Sequence, residues 1–146
     1  MRDALRRDVA GLSDVFRLAS LSNGGDRAVL LAHPDALGWT GPPGQPARCR
    51  VAVDGPAGPV VGFATTVPAG RHLELEDLFV HPDAMRRGIG TVLVDDVVGF
   101  ARSTGVARIA VDANPHARAF YVSVGFTVDG PATTEFGPGL RMHRDV

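Results

Sequence analysis

The chain has 146 residues, a formal net charge of −1 and 45% hydrophobic residues, values that fit one globular domain, 1–146, long enough to bury a core. A near-neutral balance gives no support to nucleic-acid binding, which normally brings a basic excess. Cys49 is the one cysteine, so an intrachain disulfide and a cysteine-based zinc cluster are excluded.

The stretch Met1 to Asp8 is too charged for a signal peptide, and no apolar run approaches membrane-spanning length. A cytoplasmic protein with no membrane partner is expected. Residues 1–5 suit a short strand. Asp8 stands where an N-cap belongs, before Val9, Leu12, Val15, Phe16 and Ala19 at helical spacing, and Ser22-Asn23-Gly24-Gly25 breaks that helix. A second, shorter helix is expected from Asp26 to Ala32, ended by His33-Pro34. Residues 38–46, rich in glycine and proline around Trp39, read as a loop.

From Cys49 the period changes to two. Val51 and Val53 alternate with Arg50 and Ala52, residues 54–58 turn, and residues 60–67 return as the second strand of a hairpin. After the turn at Pro68-Ala69-Gly70 a third strand covers residues 73–80. Leu73 and Leu75 share a face, yet the apolar residues resume at Leu78 and Val80, one position out of phase. Either a β-bulge near Glu76-Asp77 restores the register, or this is an edge strand with a polar middle. Ile89, Val92, Leu93, Val97, Phe100 and Ala101 follow helical spacing up to Ser103-Thr104-Gly105. Residues 106–111 read as a short strand. Asn114 caps and Pro115 opens a further helix that stops at Gly125. Residues 126–128 and 140–143 read as two last strands around a loop, Gly130 to Gly139. The result is an α+β layered domain with a mixed, largely antiparallel sheet of about seven strands flanked by about four helices.

Between the third strand and the long helix lies Arg86-Arg87-Gly88-Ile89-Gly90-Thr91. Glycines there let a ligand approach the backbone, and the free N–H groups of the helix start favour an anion. A Walker loop needs Lys followed by Ser or Thr after its last glycine, and none is present. A Rossmann fingerprint needs a third glycine where Leu93 stands. Both are excluded.

The run from Val80-His81-Pro82 through Arg86-Arg87-Gly88-Ile89-Gly90 resembles the acyl-CoA pyrophosphate motif of the GNAT superfamily of N-acetyltransferases. Asn114-Pro115-His116-Ala117-Arg118-Ala119-Phe120-Tyr121 followed by Gly125-Phe126 resembles that family's second signature, and Arg2, Ala4, Asp8 and Leu12 match its usual opening. The family's turn commonly starts with Gln or Arg where this chain has Met85, a difference that removes a side-chain contact and leaves the backbone N–H groups.

The resemblance implies the acyl-CoA N-acetyltransferase fold, with acetyl-CoA as co-substrate between splayed strands 73–80 and 107–112. Leu78, Phe79 and Val80 would pair with the pantetheine arm. Arg86, Arg87, Gly88, Ile89, Gly90 and Thr91 would hold the pyrophosphate, with Asn114, Ala117 and Phe120 lining the other side. Direct attack of an amine requires that the ammonium lose a proton and that the departing thiolate be stabilised. Tyr121, the one tyrosine, matches the family's usual general acid. Phenol near pKa ~10 and thiol near ~8.5 make full transfer uphill by roughly 2 kcal/mol, so the role the resemblance implies is better read as hydrogen-bond donation to the departing thiolate, with transfer late or incomplete. Residues 75–80 resemble the strand of polyamine-type acetyltransferases whose glutamate acts through water, which makes Glu76 the first candidate base, with Glu74 and Asp77 behind it; a solvated strand face is the alternative.

His33, His72, His81 and His143 show no ligand spacing, so no metal is expected. His116 sits exposed in a first helical turn, and Cys49 packs on a strand. The resemblance puts the acceptor between the loops Ser22 to Asp26 and Gly130 to Gly139, with Trp39 and Phe136 as aromatic walls and Glu74, Glu76, Asp77 and Glu135 favouring a cationic amine. A small-molecule amine is the expected acceptor. Acetylation of a protein or peptide, and a non-catalytic acyl-CoA sensor, are the rival readings. The sequence names neither the amine nor the oligomer; a homodimer stays open.

Overall fold

The computed structural model describes residues 1–22, 48–134 and 137–146. Its strands are β1 (Arg2–Asp3), β2 (Arg48–Val53), β3 (Val60–Ala69), β4 (His72–Val80), β5 (Arg108–Ala113), β6 (Thr127–Thr134) and β7 (Gly137–Asp145). The α-helices among the described residues are α1 (Val9–Ser22), α2 (Ile89–Ser103) and α3 (Arg118–Ser123). One seven-stranded sheet runs in the order β1-β2-β3-β4-β5-β7-β6. Every neighbouring pair is antiparallel except β4 and β5, which are parallel. The expected second helix over residues 26–32, the loop around Trp39, residues 23–26 of the Ser22 to Asp26 loop, and Glu135 and Phe136 lie outside the described residues.

Helix α1 has the expected stripe. Leu12, Val15, Phe16 and Ala19 are buried, and with Cys49, Val51 and Phe63 most of that stripe builds a small core on one face of the sheet. Val9, the first position of the stripe, is exposed. Asp8 is not the N-cap. The helix starts one turn earlier as a 3-10 segment, Arg6–Asp8, so Asp8 is its third residue. Its carboxylate reaches back to accept the Leu5 N–H at 2.7 Å, the reciprocal half of a capping box, and takes both Nη atoms of Arg2 at 2.7 and 2.9 Å.

Helix α2 covers the opposite face. Leu93, Val94, Val97, Val98 and Ala101 pack there on Ala64, Leu73, Leu75 and Ile109, the larger of the two cores. Two cores, one on each face, leave the sheet edge-on between helical layers. None of the described helices is long and apolar enough to cross a membrane.

The irregularity of the third strand is a bulge. Thr65 pairs with Asp77 and Thr66 with Leu75, leaving Glu76 as the extra residue of β4. An edge strand is excluded, since β4 is paired on both sides. The last two strands are longer than expected: residues 130–134 and 137–139 are strand, not loop. Strand β6 is an edge with one partner, and Pro138 lies beyond the last β5–β7 pair, Ala113 with Leu140. Each proline therefore sits where one ladder is absent, which a missing N–H tolerates.

Candidate active site

The parallel pair at the middle of the sheet is short. It joins Leu73 to Ile109 and Glu74 to Ala110, and no further pair follows. Beyond that point β4 bulges at Glu76 and parts from β5. The opening forms a cleft of about 780 Å³. Its β4 wall is Leu75 to Val80, including Glu76, Leu78, Phe79 and Val80; its β5 wall is Val111 to Ala113, continuing into Asn114. Phe16 of α1 and Thr133 and Thr134 of β6 close parts of the rim.

At the wide end the chain passes from β4 through a 3-10 turn, Pro82–Ala84, into α2. His81 caps that turn, its Nδ1 accepting from the Asp83 N–H at 3.0 Å. Arg86 and Gly88 then take positive φ, 66° and 77°. Gly88 is the N-cap of α2 and supplies no side chain to its first N–H groups, which leaves the helix start open to an anion. Gly90 is small for another reason: a Cβ there would stand 3.0 Å from the Phe120 ring. Arg86, Gly88, Ile89, Gly90 and Thr91 all line the cleft, as does Met85. Arg87 does not. Its guanidinium turns away to Asp54 at 3.3 Å. Open N–H groups, a cation and a strand with unpaired backbone fit an acyl-CoA with its pyrophosphate at the turn.

The other wall comes from the segment after β5. Asn114 Oδ1 accepts the His116 N–H at 2.8 Å, the capping expected of it, with Pro115 opening a 3-10 turn ahead of α3. Ala117, Phe120 and Tyr121 line the cleft from here. Tyr121 is 6% exposed. Its ring meets Phe120 and Phe126 edge-on, with centroids 5.3 and 5.2 Å away. Burial, and then the charge of Asp77, push its phenol above the ordinary range.

Carboxylates gather near the narrow end. Glu76 and Asp77 line the cleft with Asp112. Desolvation raises the Glu76 pKa first, and Glu74, Asp77 and Asp112 raise it further, against a smaller opposing effect from Arg141. Glu74 is different. Arg141 grips both of its oxygens, Nη2 donating at 3.0 Å, and His72 Nε2 stands 3.0 Å from Oε2. It does not line the cleft, and a carboxylate so held is a poor candidate base. Arg141 also donates to Asp112 at 3.1 Å. Sequence reasoning missed Arg141, Asp112 and Phe16. A lone arginine in a strand gives no hint of partners so far away in sequence. Among the described residues no group of His, Cys, Asp or Glu converges to hold a metal ion.

The sequence model described as "Acetyltransferase (GNAT) family" matches residues 25–126. The chain belongs to that family. A curated relative, the uncharacterized N-acetyltransferase ycf52 of Pyropia yezoensis, is 31% identical over 71 residues, 48% of this chain and 41% of the relative. The match therefore spans about two fifths of that relative's length. Among solved structures, nourseothricin acetyltransferase is 28% identical with a TM-score of 0.62, covering 70% of this chain and 68% of that one. Aminoglycoside 6'-N-acetyltransferase, solved in complex with coenzyme A, shares the fold at 19% identity with a TM-score of 0.72, covering 98% and 94%.

Proposed function

We propose that this GNAT chain transfers an acetyl group from acetyl-CoA to a primary amine of a small molecule. The observation that carries the reading is the fork: a parallel pair that ends at Glu74–Ala110, opening toward a helix start whose first N–H groups have no side-chain cap. A strand with free backbone groups can pair with the amide-bearing pantetheine arm, while the turn holds the pyrophosphate. Leu78 to Val80, Arg86, Gly88 to Thr91, Asn114, Ala117 and Phe120 are the residues placed to do this. Arg87 contributes backbone only, since its side chain is engaged with Asp54.

When bound, acetyl-CoA supplies an acetyl carbon activated as a thioester. The neutral amine nitrogen bonds to that carbon, the C–S bond breaks, sulfur leaves with the electron pair, and the nitrogen, cationic once acylated, releases its second proton to solvent to leave the neutral amide. Glu76 takes the proton that the ammonium gives up, directly or through water. Its raised pKa narrows the gap to an alkylammonium at ~10.4 without closing it. Tyr121 donates a hydrogen bond to the departing sulfur. Because burial has raised its phenol, full proton transfer is even less favourable than for a free tyrosine, and the thiolate takes its proton later from solvent. Among the described residues that line the cleft, the carboxylates Glu76, Asp77 and Asp112 outnumber the cation Arg86, which supports a cationic acceptor. The likeness to nourseothricin acetyltransferase and the fold shared with aminoglycoside 6'-N-acetyltransferase are compatible with a small-molecule acceptor.

The test is product identification by mass spectrometry after incubation with acetyl-CoA and a panel of monoamines, diamines, aminosugars, amino acids and a peptide with a free N-terminus. Acetylation confined to small amines supports the reading. Acetylated peptide alone would replace it with a protein acetyltransferase, and binding of CoA with no product would replace it with a sensor.

A further inference from the structure

We infer that Arg141 is a positioning residue for the transfer step, tying together the apex of the β4–β5 fork at the end of the cleft remote from the pyrophosphate turn. The inference rests on the proposed acetyl transfer. Its geometry involves three strands. Arg141 is on β7, directly paired with Asp112 of β5. Its guanidinium donates to Asp112 and to both oxygens of Glu74 on β4, so one side chain spans the strand lying between its own and β4. The β5 residue paired with Glu74 is Ala110, whose single-carbon side chain leaves room for the crossing.

The location gives the contact its meaning. Glu74 belongs to the last backbone pair between β4 and β5. Immediately beyond it the ladder is gone, and Glu76 bulges into the cleft. A planar guanidinium with fixed donors can hold two carboxylates in a defined relation, where backbone bonds no longer do. Strand β4 runs from this apex to Val80, about 20 Å at ~3.3 Å per residue. A ligand anchored by its phosphates at residues 86–91 therefore has its far end near the apex. Arg141 touches neither wall at the phosphate end, so its effect belongs to the reacting end and not to overall affinity.

This predicts a split. Arg141→Met should lower kcat about tenfold or more, because misplacement of reacting groups by ~1 Å costs up to a hundredfold, while the Kd for CoA by calorimetry changes less than about threefold. Arg141→Lys, which keeps the charge and loses the fork, should recover part of kcat. Without Arg141, Glu74 would keep the His72 ring but lose the guanidinium that holds both of its oxygens, a poorly compensated carboxylate, so the pair Glu74→Gln with Arg141→Met is the second variant; it should keep the melting temperature closer to wild type than Arg141→Met and still show the kcat loss. Unchanged kcat in Arg141→Met, or kcat, CoA affinity and melting temperature falling together in both variants, would overturn the inference. If the wild-type protein acetylates no amine, the proposed function fails and Arg141 has no transfer step to position. The clamp alone is then read by hydrogen exchange: residues 75–77 and 111–113 exchange faster in Arg141→Met if it exists and unchanged if it does not.

Discussion

Replacing Tyr121 by phenylalanine separates chemistry from packing, because the change removes one oxygen and nothing else. The ring is buried between Phe120 and Phe126 in edge-on contacts, and phenylalanine keeps that volume and those contacts. The expected cost to folding is therefore small, within about 1 kcal/mol, the net value of a typical hydrogen bond. The catalytic cost is larger. A preorganised donor facing a developing anion is worth about 3 kcal/mol, roughly a hundredfold in rate. Tyr121 meets the condition for that value, being 6% exposed at the wall of the cleft. The Asp77 charge acts on its hydroxyl, and Asp77 belongs to β4 and not to the phosphate turn, so CoA binding should stay near wild type. Burial also fixes the protonation state: with the phenol pushed upward, no alkaline limb from Tyr121 should interrupt the rate up to pH ~10. The assay is initial-rate thiol release at saturating amine across pH, beside calorimetry with CoA. A Tyr121→Phe variant with wild-type kcat would remove the hydroxyl from the mechanism. A parallel loss of CoA affinity would mean that it binds and does not assist departure.

Other perturbations test other parts of the account. Glu76→Gln should abolish the acid limb of kcat/KM; in wild type that limb should lie above the ordinary carboxylate range, because desolvation and neighbouring carboxylates raise the Glu76 pKa, so activity is lost as pH falls through a raised value. Arg86→Gly relieves a φ of 66° on a non-glycine residue, a strain of about 1–2 kcal/mol partly offset by a looser unfolded chain; stability should hold or rise while KM for acetyl-CoA rises several-fold. Arg87→Ala, which loses only an exposed ion pair worth ~0–1 kcal/mol, should leave that KM close to wild type. Asp8 is held at a pKa of about 2 by Arg2 and the Leu5 N–H. A depressed carboxylate stabilises the fold above its unfolded pKa, and that stabilisation disappears as pH falls from about 4 toward about 2. Discounted for solvent screening, Asp8→Asn should cost about 1 kcal/mol at pH 7 and flatten the acid slope of stability, measured by urea titration across pH.

Much of this was legible because periodicity and turn chemistry are local. The stripe Leu12, Val15, Phe16 and Ala19 gave α1, the period-two run from Cys49 gave the hairpin, and the phase slip at Glu76-Asp77 marked an irregularity that fitted a bulge or an edge strand, until the pairing of β4 on both sides decided for the bulge. The turn at Gly88 and Gly90 was readable because glycine there answers a positive φ in one case and the Phe120 ring in the other. What was not legible depends on neighbours distant in sequence. Gly130, Pro131, Pro138 and Gly139 read as loop, and only the sheet order shows that each lies in a strand. The three carboxylates of β4 looked equivalent along the chain. Arg141, 67 residues from Glu74, separates them by engaging Glu74 and leaving Glu76 and Asp77 to the cleft. The two adjacent arginines were likewise indistinguishable until Asp54 took one of them.

The central claim is direct transfer within the fork, and the sharpest test is a rapid-mixing record of free thiol from acetyl-CoA with and without a competent amine. The account predicts thiol release only when the amine is present, with no burst equal to the enzyme concentration before it. A stoichiometric burst from acetyl-CoA alone would show an acyl-enzyme and contradict it, as would tight CoA binding with no thiol released in the presence of any acceptor.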